Sequence, residues 1–515
     1  MEFKKDNNKN ALPNIVILVP DEMRGDTVNN PDVRIPNIES IGDDGVIFTR
    51  NFSVNPVCAP SRCSTFTGQY PHDGAHRSLF QLLQPHDENL FKMLKKKGYE
   101  VIWVGRNDLF TQGAAEESVS RRINPVNERV RQIYRAAREK SLDALQAIAP
   151  YIKLNPYPID HPWRKSFYYG ERTKQQADHD YDQGVMEKGL DYLNEYSGSK
   201  RDKPFCLYLA FAYPHPPYTI EEPYFSMYDR KKIPSLFQTE SGGVFNFEDK
   251  PQFMKLMRER YGLENLNEED FKEIRAVYYG MISRIDMQIG RILDKLKEIG
   301  IYDNTVIVFF SDHGDYAGSY GLTEKWHTGM HDCLVHVPFI VKIPGIKPAQ
   351  KICDQLTQTI DIFPTLLEVA RIETPYTHFG KSLLPVMRGE IETHRDVVFA
   401  EGGHNLREPQ CFEDPIKSPE DPRMGIYYDK IDISREKPET VCRTTMIRTR
   451  DWKLVIRSTP GEREELYHLK EDPHELVNLI DKPEYVEKIR ELKEKMLYWY
   501  LETSDNPRWE HLREA

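Results

Sequence analysis

The chain has 515 residues, and its 70 basic and 81 acidic side chains give a formal net charge of -11 at pH 7. This length can bury a large core, and the acidic balance excludes broad electrostatic attraction to nucleic acid or to an anionic membrane. Any anionic ligand must therefore be bound by a local site. We expect neither nucleic acid nor a membrane among the partners, and composition leaves open whether the protein is a monomer or a homo-oligomer.

The cysteines and the N-terminal sequence predict the compartment. Seven cysteines are few, odd in number and free of CxxC pairs, which argues against a disulfide framework and against a cysteine zinc site. The start, MEFKKDNNKN, turns polar after a basic pair, and the apolar run NIVILV is too short for a signal sequence or a membrane span. These features predict a reduced, soluble, cytoplasmic protein.

Short apolar runs alternate with helical patterns along most of the chain. Five runs read as strands buried on both faces: NIVILVP (14–20), EVIWVG (100–105), FCLYLAFA (205–212), TVIVFFSD (305–312) and VPFIVKIPG (337–345). Residues 266–299 carry apolar side chains at helical spacing, with Gly300 as the C-cap. The alternation predicts an α/β fold with a large mixed, mostly parallel sheet sandwiched by helices.

The pattern changes near the C-terminus. MIRTRDWKLVIRS and EELYHL read as short antiparallel strands, and a helix is predicted over roughly 484–502. We therefore divide the chain into a tail over residues 1–11, a main domain over 12–430, and a smaller C-terminal α+β subdomain over 431–515.

A long excursion over residues 107–175 interrupts the main domain, and excursions of this size often carry specificity. Its segment 157–169 interleaves aromatic rings with cations, a composition that can stack on a ring while pairing with an anion. Trp163 and Arg164 are therefore candidate substrate-binding residues. The alternative is a solvated loop whose aromatic side chains only anchor it to the body of the protein.

Charged side chains stand where the predicted strands end, and ligands in open α/β sheets collect at these carboxyl ends. Asp21 and Glu22 follow the first strand, Asp312 and His313 end the fourth, and His215 follows the third. The three carboxylates and the His313 imidazole at the ends of the first and fourth strands suit a divalent cation; we expect Ca²⁺, with Mn²⁺ or Mg²⁺ as alternatives. One acidic pair after a strand is commonly a turn or a helix cap, but two pairs at equivalent strand ends favour a metal site.

The stretch CAPSR (58–62), followed by STFTG (64–68), resembles the C-x-P-S-R signature of the sulfatase family, within the alkaline phosphatase superfamily. Further elements stand in family order: PHPPY, VIVFFSDHGDYAG, the Lys325 segment, HVPFIVKIPG and DIFPTLLEVA. The resemblance covers roughly residues 12–390, and ELYHLKEDPHELVNL extends it into the C-terminal unit. It implies that the main domain is a sulfatase catalytic domain.

The resemblance also implies roles for individual residues. Cys58 would be oxidised after synthesis to formylglycine by a formylglycine-generating enzyme, and the aldehyde hydrate would be the nucleophile. The metal ligands would be Asp21, Glu22, Asp312, His313 and an oxygen on modified Cys58. Arg62 would hold the hydrate. His215 and Lys325 would supply a proton or a positive charge to the leaving alkoxide.

Several positions depart from the family pattern. Where many members read G-K-W-H-L, this chain reads GRNDL over residues 105–109, so that Arg106 can still hold an anion while Asp108 replaces a histidine. Either Asp108 is the base or that role has moved. His313 stands where many members have Asn, a form that also occurs in phosphonate monoester hydrolases and phosphodiesterases. His327 and His331, four residues apart, are substrate-pocket candidates on one side of a predicted short helix.

The leading hypothesis is a sulfuric ester hydrolase that acts on a sulfated carbohydrate or an aryl sulfate. One alternative is hydrolysis of phosphonate or phosphate esters at the same site, because tetrahedral sulfate and phosphate esters differ in charge more than in shape. Another is a catalytically inactive family member that only binds sulfated glycans. Its marker would be an unmodified thiol at Cys58.

Overall fold

The computed structural model describes residues 12–126, 150, 153–158, 160–198, 203–235, 245–407, 427–459 and 462–504. The predicted tail over 1–11 lies outside them. The strands are β1 (Asn14–Asp21), β2 (Val46–Phe48), β3 (Asn51–Phe52), β4 (Glu100–Gly105), β5 (Arg121–Ile123), β6 (Tyr168–Glu171), β7 (Phe205–Pro214), β8 (Tyr218–Ile220), β9 (Thr305–Phe310), β10 (Phe339–Lys342), β11 (Ile352–Cys353), β12 (Thr357–Gln358), β13 (Val398–Gly402), β14 (Thr444–Arg448), β15 (Trp452–Arg457) and β16 (Glu465–His468).

The helices lie between these strands and after them. They are α1 (Pro36–Ser40), α2 (Cys58–Thr67), α3 (Pro71–Gly74), α4 (Leu90–Lys96), α5 (Gln112–Ser118), α6 (Lys174–Asp178), α7 (Tyr181–Ser197), α8 (Gln252–Arg260), α9 (Glu268–Glu298), α10 (Asp332–Val335), α11 (Ile362–Ala370), α12 (Leu384–Met387), α13 (Tyr428–Glu436) and α14 (Val486–Thr503). Among the described residues, none of the helices has the length and apolar character that a membrane crossing needs.

The main sheet has eight strands in the order β11-β2-β10-β9-β1-β7-β4-β5. The central strand β1 is parallel to both of its neighbours, β7 and β9, and β4 is parallel to β7 and β5. Strand β10 runs antiparallel to β9 and β2. All five apolar runs form strands of this sheet, which confirms the predicted mixed, mostly parallel α/β architecture.

Alternate side chains of the central strands enter two separate cores, one on each face of the sheet. Val16 and Leu18 of β1 belong to the core that also contains the buried side of α9. Ile15 and Ile17 point to the opposite face, whose core includes Phe66 of α2. Because burying one such aliphatic side chain contributes about 1.5–3 kcal/mol, both faces hold the sheet and its carboxyl edge in place.

Helix α9 is the long helix predicted over 266–299. Its N-cap is Asn267, whose side chain accepts hydrogen bonds from the backbone N–H groups of Glu269 and Asp270. The helix ends at Glu298, and Gly300 takes a left-handed φ of 73° just beyond it. Such a residue stops a helix at little steric cost when it is glycine.

The C-terminal unit contains a four-stranded antiparallel sheet in the order β13-β14-β15-β16, and α14 packs against it. Trp499 of α14 stacks on Phe399 of β13 with ring centroids 4.3 Å apart. The predicted hairpin and terminal helix are therefore present. Strand β13 belongs to this sheet although it lies upstream of residue 431, where we placed the start of the subdomain. The boundary at residue 431 stays a prediction.

Candidate active site

The carboxyl ends of β1 and β9 bring the predicted acidic residues together. The two strands pair in parallel up to Leu18 and Phe309, so Asp21 and Asp312 leave the sheet at the same edge. Both carboxylates are fully buried, as is Glu22. The backbone N–H of Glu22 donates to Asp312 Oδ1 over 3.2 Å.

Cys58 is the first residue of α2 and points into this acidic edge. Its Sγ lies 3.1 Å from His313 Nε2 and 3.5 Å from Asp21 Oδ1. Burial raises the pKa of the Cys58 thiol well above its usual value, and the Asp21 charge adds to that effect. An unmodified thiol here is protonated, and protonated thiols are poor nucleophiles.

Arg62 lies one helical turn after Cys58 and is fully buried. Its Nε donates to Asp312 Oδ2 over 2.8 Å, and its Nη2 lies 3.2 Å from Asp21 Oδ2. Among the described residues, Nη1 and Nη2 have no hydrogen-bond partner of ordinary geometry. Two buried N–H donor groups thus stand beside the Asp21 carboxylate, which Cys58 Sγ also contacts.

Arg106 and Asp108 lie beside the same carboxylates. Arg106 Nη1 donates to Asp21 Oδ2 over 2.8 Å, and Asp108 Oδ2 lies 3.2 Å from Arg106 Nε and 3.6 Å from Arg62 Nη1. Burial acts to raise the pKa of Asp21, but the charges of Arg106 and Arg62 outweigh it and hold that pKa well below its usual value. Asp21 is therefore an anion.

Lys325, His215 and Glu22 form a second cluster at this edge. Lys325 Nζ lies 3.0 Å from Glu22 Oε2 and 3.3 Å from His215 Nε2. His215 Nδ1 lies 2.7 Å from the carbonyl oxygen of Pro216, to which a protonated Nδ1 donates. In the neutral ring Nε2 is then the acceptor, and it accepts from the Lys325 ammonium group.

Sequence reasoning missed two charged side chains behind Lys325. Glu324 is fully buried, and its Oε1 lies 2.7 Å from Lys325 Nζ. Lys430, 1% exposed, reaches Glu324 Oε2 over 3.0 Å from α13. Glu324 could have been found as the sequence neighbour of Lys325. Lys430 carries no sequence signal, since 106 residues separate it from its partner and it follows a polar, Pro-rich stretch.

The predicted short helix that carries His327 and His331 is wrong. A turn follows Trp326, whose carbonyl accepts the N–H of Gly329 over 3.1 Å, and α10 begins only after His331. His327 accepts the N–H of Gly403 at its carbonyl over 3.0 Å, and His331 Nε2 lies 3.4 Å from Glu465. Burial lowers the pKa of His331 to about 3. The His331 side chain lies toward the C-terminal sheet, and the His327 ring lies 6.4 Å from the ring of His404. Substrate binding by His327 and His331 stays a prediction.

Trp163 and Arg164 contact other residues of the excursion, and Trp163 also packs against the core on one face of the main sheet. The Trp163 ring lies 4.3 Å from that of Tyr168, and Arg164 Nη1 donates to the carbonyl of Tyr157 over 2.7 Å. The excursion approaches the site through Phe167, whose ring lies 5.4 Å from that of Tyr427. The Tyr427 ring lies 6.5 Å from the ring of His215. Trp163 and Arg164 thus stay candidates for substrate binding.

Comparisons with known proteins agree with this geometry. The Sulfatase family profile matches residues 13–372, and the profile described as N-sulphoglucosamine sulphohydrolase, C-terminal, matches 415–500. The chain is 27% identical to an arylsulfatase of Clostridium perfringens (94% of each chain) and 26% identical to the multifunctional alkaline phosphatase superfamily protein PehA of Trinickia caryophylli (96% of each). The phosphonate monoester hydrolase of Agrobacterium radiobacter shares the fold, with a TM-score of 0.74 at 23% identity over 96% of this chain and 97% of that one. The chain is therefore an enzyme of the sulfatase family, within the alkaline phosphatase superfamily.

Proposed function

We propose that this enzyme hydrolyses the sulfate ester of a sulfated carbohydrate or an aryl sulfate, with formylglycine derived from Cys58 as its nucleophile. The supporting observation is the position of Cys58 at the start of α2, with its Sγ against His313 and Asp21 and the guanidinium of Arg62 alongside. The arylsulfatase relative supports a sulfate ester, and the C-terminal profile match supports a sulfated sugar.

The surroundings of residue 58 fit a modified side chain better than a thiol. Burial raises the thiol pKa, so that the encoded cysteine would be an inactive nucleophile. A hydrated aldehyde supplies two hydroxyls on one carbon, one to attack sulfur and one whose later deprotonation expels sulfate. His313 and Asp21 lie within hydrogen-bond reach of this position and would orient such hydroxyls.

A divalent cation fits the donor atoms at the strand ends. Asp21, Asp312, His313 and Cys58 each offer an atom within 4.8 Å of the others, and all four residues are buried. Glu22 Oε1 has no hydrogen-bond partner among the described residues. We propose that these five residues hold the ion, with Ca²⁺ first and Mn²⁺ or Mg²⁺ as alternatives. When bound, the ion would supply Lewis-acid polarisation of sulfate oxygens.

The cationic side chains of the site would bind the sulfate group and protonate the leaving group. Arg62 and Arg106 would bind the sulfate oxygens, with Asp108 positioned between their guanidinium groups to fix their orientation. Lys325 would give its proton to the departing ester oxygen, because its Nζ holds the proton shared with His215 Nε2. Before that transfer, His215 Nε2 would accept a hydrogen bond from the Lys325 ammonium group and keep it aimed at that oxygen.

The second candidate function is hydrolysis of phosphonate or phosphate esters. It is favoured by the imidazole of His313 beside Asp312, and Arg62, Arg106 and Lys325 would serve either ester. We rank it second because the family profile over the catalytic domain is that of sulfatases. Relative kcat/KM for a matched aryl sulfate and aryl phosphodiester decides between the two.

The proposed function is tested by the mass of the peptide that contains Cys58, isolated from the native host. We expect the loss of sulfur and two hydrogens and the gain of one oxygen, together with turnover of an aryl sulfate. The tryptic peptide that contains Cys353 serves as an internal control for unmodified thiols. Only the encoded mass at Cys58, combined with full hydrolytic activity, would contradict the formylglycine assignment. The encoded mass without activity would support a glycan-binding protein instead.

We expect the double substitution Trp163→Ala/Arg164→Ala to raise KM for a sulfated oligosaccharide more than for a small aryl sulfate. A charge-assisted contact contributes about 1.5–3 kcal/mol, which corresponds to about tenfold or more in KM. The small substrate touches only the reacting centre and is the control for damage to the site. Equal rises in KM for both substrates would show that this segment is structural. The contacts of Arg164 with Tyr157 and of Trp163 with Tyr168 would then explain the loss.

A further inference from the structure

Four charged side chains of alternating sign form a row behind the leaving-group end of the site. Lys430 contacts Glu324 over 3.0 Å, Glu324 contacts Lys325 over 2.7 Å, and Lys325 contacts Glu22 over 3.0 Å. None is more than 2% exposed. Solvent therefore screens these charges little, and each one acts strongly on its neighbour.

The net charge around Lys325 depends on Lys430. Lys325 lies between two carboxylates, Glu22 and Glu324. Glu22 also belongs to the proposed ion site, whose positive charge would offset it, so Glu324 is the carboxylate that still needs a compensating charge. An ammonium group held by two buried carboxylates is drawn back from any substrate oxygen. Lys430 neutralises Glu324 through both carboxylate oxygens, at 3.0 and 3.3 Å. The contact thus offsets the charge of Glu324 and leaves the Lys325 ammonium group less strongly held by that carboxylate.

The backbone holds Glu324 in place for this contact. Its φ is 64°, a left-handed conformation that is uncommon for a side chain with a Cβ. Its N–H donates to the hydroxyl of Tyr218 over 2.9 Å, and its carbonyl accepts from the N–H of Tyr316 over 3.1 Å. Strained conformations of this kind persist where the surroundings fix them, and they cluster at functional sites.

We propose that Lys430 is a positioning residue for catalysis: by neutralising Glu324, it keeps the Lys325 ammonium group beside His215 and available to the departing ester oxygen. This inference rests on the proposed function of Lys325 as proton donor. It assigns part of the active site to α13, outside the residues matched by the Sulfatase profile. Tyr427, directly before α13, has its ring 6.5 Å from that of His215 at the same end of the site.

The test is Lys430→Met measured against a series of sulfate esters with increasingly basic leaving groups. A nitrophenyl sulfate needs little help to depart, and we expect its kcat/KM to fall less than about threefold. For an alkyl or sugar sulfate the proton from Lys325 matters, and we expect a fall of about thirtyfold or more. The loss should lie in kcat rather than in KM.

Two further variants separate this role from a structural one. Lys430→Arg should keep most of the activity, and the double variant Lys430→Met/Glu324→Gln should recover at least about tenfold for the poor leaving group, since it removes both opposed charges. Arg260→Met is the matched control, because Arg260 at the end of α8 pairs with Asp432 of α13, the helix that carries Lys430, whereas Glu324 pairs with Lys325 and Lys430. That control should leave the leaving-group dependence unchanged.

The inference is overturned if Lys430→Met lowers kcat/KM equally for every ester in the series. It is also overturned if adding Glu324→Gln to Lys430→Met restores no activity toward the poor leaving group. If Lys430→Met does not fold, the double variant and Lys430→Arg are measured instead with the same series of sulfate esters, and their kcat/KM values decide the question. Wild-type turnover of phosphodiesters instead of sulfate esters would contradict the proposed function alone, and the series would then be run with phosphodiesters of matched leaving groups.

Discussion

Cys58→Ala should abolish hydrolysis of aryl and sugar sulfates while the protein stays folded. The substitution removes a single buried atom, Sγ, whose neighbours are His313 and Asp21. Its cost in folding stability should be about 1 kcal/mol, as for a typical small truncation. Loss of a covalent nucleophile costs far more in rate, and we expect kcat/KM to fall by at least about 10⁴-fold. Steady-state kinetics and thermal unfolding measure the two effects.

The matched control for this experiment is Cys63→Ala in the same helix. Cys63 is fully buried too, and its Sγ lies 3.9 Å from the carbonyl oxygen of Leu109, away from Asp21 and His313 that contact Cys58. We expect this variant to keep its rate within about threefold of the wild type while losing similar stability. Retained hydrolysis by Cys58→Ala, or equal losses in the two variants, would rule out nucleophilic catalysis at residue 58.

Asp312→Asn is expected to have the second-largest effect, because it changes a charge and no volume. Asp312 Oδ2 accepts from Arg62 Nε over 2.8 Å, and Oδ1 accepts from the N–H of Glu22. The amide would remove a negative charge from the proposed ion site and leave buried Arg62 with less compensation. We expect weaker metal retention after dialysis and a fall of about 10²–10³-fold in kcat/KM, partly reversed by excess Ca²⁺.

Asp286→Asn supplies the comparison for that loss. Asp286 is also a buried carboxylate, but it accepts from the N–H of Ile38 and from the Asn37 side chain, at the start of α1. Its variant should retain metal as the wild type does, even if it is less stable. If Asp312→Asn keeps its metal content and its rate, and chelators also leave the rate unchanged, the metal assignment is incorrect.

The position of the acidic edge could be predicted from the sequence because it depends on local patterns. Continuous apolar runs mark buried parallel strands, and the ends of parallel strands meet at one edge of the sheet. Asp21 and Asp312 could therefore be placed together although they lie far apart in the chain. The residues directly before them, Pro20 and Ser311, are in contact across a separation of 291 positions. The motif around Cys58 added the helix that faces this edge.

Contacts made by the C-terminal part of the chain could not be predicted in this way. The spacing of His327 and His331 suggested one face of a helix, whereas the turn at Gly329 sends the chain toward the C-terminal sheet. Lys430 reaches Glu324 from a helix whose own pattern carries no sign of that partner. Such contacts depend on how two units dock, and neither hydrophobic period nor motif spacing records docking.

The junction between β13 and the turn after Lys325 limits how this enzyme can be divided. The N–H of Gly403 donates to the carbonyl of His327, and a Cβ on Gly402 would stand only 2.1 Å from that same oxygen. The C-terminal sheet therefore abuts the backbone just two residues beyond Lys325. In a chimera between relatives, exchange of the C-terminal unit would replace the residues that pack against the turn after Lys325, the proposed proton donor. If the exchanged C-terminal unit includes β13, the turn after Lys325 should be taken from the same relative.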